Sequence, residues 1–285
     1  MKLFITDLDF TLLNSKKEIS ENNLTALKRL EDNNIKFAFA SGRSYYNICE
    51  IRDKYELVCP IIGLNGAQII SEKGEVISKV LLSLEDILPI ISFCEEHNLI
   101  YRIFTDTLTY INETENLIYE LFDLAKSKHD DSSDIQLGAQ IYYDSLFKKS
   151  VKMDNLKSYL EKNNPEIYKM EITTSKLDLL KEAKDLANKN TSINVTSSYS
   201  LNLEITKQSI DKGHAINVLS EFMKINIKDV VAIGDGLNDR TMIEEAGIGI
   251  AMENAVDKVK SVSDYVTKNY EDDGVAHIIN KLLEK

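Results

Sequence analysis

Asp7 and Asp9 stand two residues apart in Asp7-Leu8-Asp9-Phe10-Thr11, directly after the apolar run that begins at Leu3. Residues two apart in an extended chain face the same side, so both carboxylates enter one space at a strand end. Adjacent carboxylates repel, and a protein keeps them together chiefly to bind a cation or to move protons. A solvated strand end closed by an Asx-type turn is the other account of the pair. A second acidic group, Gly234-Asp235-Gly236-Leu237-Asn238-Asp239, again follows an apolar run. Its glycines allow a sharp turn and close approach to a ligand, and Asp235 and Asp239 share a face if a helix starts there. A dinucleotide fingerprint would need glycine at 239, and no GxxxxGK[ST] loop occurs, so both familiar nucleotide motifs are excluded. Ser41-Gly42-Arg43 offers a hydroxyl, an unhindered N–H and a guanidinium at a helix start, a set suited to phosphate; a plain helix cap followed by an arbitrary arginine has the same spelling. Lys212, in Asp211-Lys212-Gly213, opens a helix, where lysine is usually solvated. Taken jointly, oxygen ligands without histidine or cysteine suit Mg2+, which binds few carboxylates and keeps waters and substrate phosphate.

These groups are far apart in sequence, and the elements between them must gather them. Apolar runs at 2–7, 35–40, 58–62 and 230–233 read as buried strands, alternating with helices near 24–30, 44–53 and 211–224. That rhythm predicts βαβ units and a parallel sheet, whose ligands lie at the carboxyl ends of the strands, where Asp7, Ser41 and Asn65 fall. A hairpin is expected across 68–80. From 83 the order becomes helix 83–97, strands 99–104 and 108–111, helix 115–126, strand 140–143, helix 153–162, strand 166–172, helix 176–189, and strands 193–196 and 201–205. After 230–233 come units at 248–252, 255–261 and 265–267 and a closing helix at 274–283. The fold class is therefore α/β: one doubly wound, Rossmann-like parallel-sheet core built from both ends of the chain (1–82 and 206–285), interrupted by an inserted α+β domain (83–205).

Composition narrows the function classes. The chain has 285 residues, 43% apolar and 28% charged, with 34 Lys plus Arg against 46 Asp plus Glu, a formal net charge of −12. Such acidity disfavours nucleic acid and anionic lipid, and no apolar run approaches the ~18 residues of a membrane span. The N-terminus turns acidic after six residues with no cleavage-site pattern, and the three cysteines (Cys49, Cys59, Cys94) lack metal spacing; both point to a reducing cytoplasm. The scattered histidines His97, His129, His214 and His277 make no ligand set, His129-Asp130-Asp131 reads as a solvated loop, and Tyr142 and Tyr143 as strand neighbours. Residues 83–205 carry 21 acidic and 13 basic side chains, so most of the excess negative charge lies in the insertion. Attraction for a small phosphate must then be local.

Four phrases in this order, Asp7–Thr11, Ser41, Lys212 and Gly234–Asp239, together with Asn65-Gly66-Ala67, Ala251-Met252-Glu253-Asn254-Ala255 and Asp273-Gly274-Val275-Ala276, resemble the haloacid-dehalogenase superfamily, in its Cof-type branch with a large α/β cap between the second and third motifs. The resemblance implies an Mg2+-dependent phosphatase for small phosphorylated metabolites, sugar phosphates or similar. Asp7 would be the nucleophile and Asp9 the acid and base. Leu8 (through its N–H), Ser41, Gly42, Arg43, Asn65, Lys212 and Asn238 would bind phosphate or substrate. Asp7, the Asp9 backbone carbonyl and Asp235 would hold the metal, with Asp239 at the metal site orienting Lys212 or a metal-bound water. Phe10 stands where the branch usually has glycine. A phosphosugar mutase, a disaccharide-phosphate phosphatase and a catalytically silent metabolite-binding protein are the alternatives. Monomer and dimer are both compatible with the sequence.

Overall fold

The structure is a computed structural model. It describes residues 1–106, 108–112, 117–126, 138–140, 143, 150–198 and 200–284. These fall into two compact units, Met1–Val80 with Ile210–Lys285, and Leu81–Ser209.

The first unit is built on an eight-stranded sheet. Its strands are β1 (Leu3–Thr6), β2 (Lys36–Ala40), β3 (Ile61–Gly63), β4 (Gln68–Ile70), β5 (Val76–Lys79), β12 (Val230–Gly234), β13 (Ile248–Ala251) and β14 (Tyr265–Val266), ordered β14-β13-β12-β1-β2-β3-β4-β5. The six strands from β14 to β3 run parallel, whereas β4 and β5 form an antiparallel extension. β1 and β12 are buried at every residue, as continuous apolar strands covered on both faces must be. The covering helices begin with α1 (Glu21–Asp32) and α2 (Tyr45–Lys54). Ser20 caps α1 by accepting the Asn23 N–H, and Asn34 (φ 58°) ends it in the left-handed turn expected of the Asn33–Asn34 pair. The strand expected from 58 begins only at Ile61, since Pro60 has no N–H to donate and Val58 is exposed.

The second unit carries a six-stranded sheet ordered β10-β11-β9-β6-β7-β8, from β6 (Ile100–Thr105), β7 (Thr109–Asn112), β8 (Val151–Met153), β9 (Ile167–Thr173), β10 (Ile193–Thr196) and β11 (Asn202–Lys207). Its helices are α3 (Leu84–Glu96), α4 (Leu117–Lys126), α5 (Leu156–Asn163) and α6 (Leu177–Ala187). Alternation decides the two faces. Tyr101, Ile103, Met170, Ile172 and Ile205 join Ile87 and Ile91 of α3 and Leu160 of α5 in one core. Arg102, Lys169, Glu171 and Glu204 point the other way as a charge network, with Arg102 half-buried and the other three buried. Lys169 Nζ lies 2.7 Å from Glu204 Oε1 and 3.3 Å from Glu171 Oε2, and Arg102 Nη2 2.5 Å from Glu171 Oε1. Burial opposes ionisation of Glu171, but Arg102 and Lys169 outweigh it and hold its carboxyl below the usual range.

Several local expectations shift. The short strand β8, with lysine at its centre, carried no pattern that marked it, and helix α5 starts three residues later than expected. Gln140 and Tyr143 are helical where a strand was expected, and the rest of that segment, with Tyr142 and His129-Asp130-Asp131, lies outside the described residues. The cysteines are free, Cys59 and Cys94 buried and Cys49 half-buried. No helix among the described residues is long and apolar enough to cross a membrane.

Back in the first unit, α7 (Lys212–Phe222) is capped by Asp211, whose side chain accepts the His214 N–H. A short 3-10 turn (Leu237–Asp239), α8 (Arg240–Glu245), α9 (Asp257–Lys260) and α10 (Gly274–Leu283) complete the chain.

Candidate active site

β1 and β12 are adjacent and parallel, so the residues that follow them leave the sheet at the same edge. Asp7 follows β1, with its N–H on the Ile233 carbonyl, and Asp235 follows β12. Beyond Asp7 the chain turns tightly, with the N–H groups of Thr11, Leu12 and Leu13 converging on the Leu8 carbonyl. Leu8 and Thr11 are buried, and Thr11 Oγ1 donates to Asp235 Oδ1 at 2.9 Å, tying the two loops together. At β12, Gly234 is required by contact: a Cβ there would come within 2.5 Å of the Asp239 carboxyl group.

Lys212 is the pivot. It is fully buried, contrary to the habit of lysines that open helices, and its Nζ lies 2.7 Å from Asp7 Oδ1 and 2.5 Å from Asp239 Oδ1. The remaining Asp239 oxygen accepts the N–H groups of Asp235 and Gly236, both at 2.9 Å. Asp239 thus fixes both the loop and the lysine.

Carboxylate oxygens of Asp7, Asp235 and Asp239 lie within 4.8 Å of one another. Burial raises the Asp7 carboxyl to about 7, aided by the charges of Asp239 and Asp9 and opposed by Lys212. Burial with the charges of Asp239 and Asp7 raises Asp235 to about 9. The pair Asp7 and Asp239 pushes Lys212 upward in spite of its burial. Three carboxylates facing a single ammonium leave excess negative charge, and an all-oxygen donor set of this kind fits a hard divalent cation.

Asp9 is placed differently. Its carboxylate turns to Arg43, whose Nε and Nη2 reach it at 2.7 and 2.6 Å, and to Lys17 Nζ at 2.9 Å. Burial works against its ionisation, yet these two cations hold it well below the usual carboxylate range. The Asp9 side chain therefore lies outside the carboxylate cluster, and Arg43, expected on the substrate, is here on Asp9. Ser41 is buried at the end of β2, and its Oγ accepts the Arg43 N–H at 3.2 Å. Gly42 lies between them. Asn65, in a left-handed turn after β3, donates its N–H to the Ser41 carbonyl and accepts Asn238 Nδ2 at 3.1 Å. Gly66 (φ 99°) permits this, since a Cβ would lie 2.5 Å from the Asp211 carbonyl oxygen.

The candidate site residues Asp7, Leu8, Asp9, Ser41, Gly42, Arg43, Asn65, Lys212, Asp235, Asn238 and Asp239 thus all belong to the first unit and follow its parallel strands or, as Lys212 does, open α7. Two contributors carried no stated role. Thr11 was visible as the last residue of the Asp7–Thr11 phrase, four from Asp7, whereas nothing in the sequence marked Lys17, which reaches Asp9 from the turn after Asn14.

Comparison with known proteins identifies the family. Residues 4–279 match the haloacid dehalogenase-like hydrolase family. A 5-amino-6-(5-phospho-D-ribitylamino)uracil phosphatase of Bacillus subtilis is 32% identical over 99% of this chain and 98% of its own. A second B. subtilis phosphatase is 30% identical over 99% of this chain and 100% of its own. The solved structure of a haloacid dehalogenase-like hydrolase from B. subtilis superposes with a TM-score of 0.87 at 28% identity, covering 99% of this chain and 100% of that one. The chain belongs to the haloacid dehalogenase-like hydrolases, as a phosphatase of the Cof type.

Proposed function

We propose that the protein hydrolyses small phosphorylated metabolites in an Mg2+-dependent reaction through an aspartyl-phosphate on Asp7. The observation that carries this reading is the buried set of Asp7, Asp235, Asp239 and Lys212 at the shared edge of β1 and β12. Asp7, Asp235 and the Asp9 backbone carbonyl would hold the cation, with Asp239 beside it as the residue that fixes Lys212. When bound, Mg2+ supplies positive charge that lets a carboxylate approach a phosphate.

A carboxylate oxygen of Asp7 attacks phosphorus, the ester P–O bond breaks, and the departing alkoxide takes a proton from Asp9. Water then attacks the acyl phosphate, Asp9 takes the water's proton, and inorganic phosphate leaves with Asp7 restored. For Asp9 to carry that proton, Arg43 and Lys17 have to leave it, and the incoming phosphate oxygens are the partners that draw Arg43 away. Lys212 keeps Asp7 oriented and, with Ser41, Gly42, Asn238 and the Leu8 N–H, contacts the transferring phosphoryl group. Asn65 positions Asn238. The inserted unit, 81–209, is the substrate-specificity cap in this reading. Because a relative acts on a phosphorylated ribitylaminouracil, that ester is the first compound to assay, followed by sugar phosphates.

The test is Asp7→Asn. Turnover of phosphate esters with Mg2+ should disappear while the unfolding transition stays cooperative, and undiminished turnover would remove Asp7 as nucleophile.

A further inference from the structure

Phe10 is held where its own backbone resists it. Its φ is 59°, in the left-handed region that crowds a side chain and that glycine adopts freely. The loop imposes this conformation: the Phe10 carbonyl accepts Asn254 Nδ2 at 2.9 Å, and the next three N–H groups close on the Leu8 carbonyl. An aromatic residue ordinarily offsets such strain by burying its ring, yet Phe10 is 42% exposed. Lys17, Glu56 and Lys224 adopt the same backbone at exposed turns, so what distinguishes Phe10 is a large exposed ring beside the site.

The ring is nevertheless fixed in direction. Tyr270 meets it edge-on with centroids 5.6 Å apart, and Lys17 Nζ stands 4.7 Å from its centroid. The same Nζ is 2.9 Å from Asp9 Oδ1, so the ring is one ammonium away from the carboxylate that meets the leaving oxygen. Two further exposed apolar side chains sit on loops of the same site. Leu237 precedes Asn238, and Val256 donates its N–H to the Asp235 carbonyl.

We propose that Phe10 is a specificity-determining residue: its ring is the surface against which the leaving group of the ester packs, selecting leaving groups with a flat aromatic or heteroaromatic face close to the phosphate. This inference rests on the phosphatase reading above, because only there does Asp9 mark the leaving-group side.

The experiment compares wild type, Phe10→Gly, Phe10→Leu and Lys17→Met, all loaded with Mg2+. Glycine suits the left-handed backbone, so the first variant should fold at least as well as wild type. Turnover is measured with benzyl phosphate and glycerol 3-phosphate, whose leaving alcohols are of similar acidity. Binding is measured by calorimetry with the unreactive benzylphosphonate and methylphosphonate. In Phe10→Gly the benzyl-to-glycerol ratio of kcat/KM and the benzyl-to-methyl ratio of affinities should each fall about tenfold, the scale of a lost aromatic contact in a pocket. Phe10→Leu should fall between, and Lys17→Met should keep the aromatic preference. Unchanged ratios in Phe10→Gly overturn the inference, as does wild type that fails to bind benzylphosphonate. Loss of the preference in Lys17→Met overturns it too, because the ring would then serve only to seat the ammonium. Failure of the phosphatase reading shows separately, as absence of Mg2+-dependent turnover of either ester by wild type.

Discussion

Replacing Lys212 by methionine removes the one cation among the described residues that lies against Asp7 and Asp239, while preserving most of the side-chain volume. At 2.7 and 2.5 Å the two contacts are each worth about 6 kcal/mol of gross attraction at an effective dielectric constant of about 20. The cost of desolvating the ammonium offsets much of this, and breaking a buried pair by deleting one partner costs about 3–5 kcal/mol net. For a chain of this size that corresponds to a fall of about 6–15 °C in the unfolding midpoint. The sign with pH follows from the carboxyl groups. Without Lys212 the Asp7 carboxyl moves still higher than about 7, since the lysine is what lowers it. At pH 8 the variant must either bury an unpaired carboxylate or take up a proton, whereas at pH 5 the proton is already in place. The loss should therefore be largest at pH 8 in EDTA, smaller at pH 5, and partly reversed by Mg2+. Differential scanning calorimetry in EDTA and in Mg2+ at the two pH values measures it, and phosphatase activity should fall at least about 100-fold, as when one preorganised donor to a developing charge is removed. A midpoint within about 1 °C of wild type at pH 8 in EDTA would refute the reasoning.

Metal-free wild type should itself lose stability as pH rises between the ordinary carboxylate range and about 9. There the folded state holds protons on Asp7 and Asp235 that the unfolded chain has released, and Mg2+ should flatten that slope; a rising slope in EDTA would contradict the burial of the cluster. Thr11→Val keeps the shape but deletes the bond that orients Asp235, so calorimetric titration should show Mg2+ binding weakened about 10–100-fold. Lys169→Met removes the cation shared by Glu171 and Glu204 in the inserted unit, with Arg102 still on Glu171, and should cost about 3–5 kcal/mol of stability by denaturant unfolding, with Mg2+ affinity unaltered.

The sequence alone determined which residues could do this chemistry and the βα order that gathers them, because a continuous apolar strand ending in acid has few other places to go. Asp7, Ser41, Asn65 and Asp235 were legible for that reason, and Asp211 announced the helix that carries Lys212. Its limits were equally physical. Strand β8 is three residues long and draws its stability from pairing with β7, a partner about 40 positions earlier, so no local pattern marks it. The charge network of Arg102, Lys169, Glu171 and Glu204 reads in sequence as ordinary alternation with a polar face; cross-strand register is what places the opposite charges against one another. Only the tertiary structure decided that Lys212 is buried, that Thr11 orients Asp235, and that Arg43 and Lys17 hold Asp9. Side-chain direction and the ionisation that follows from it depend on neighbours brought together by folding, and neither is written in spacing along the chain.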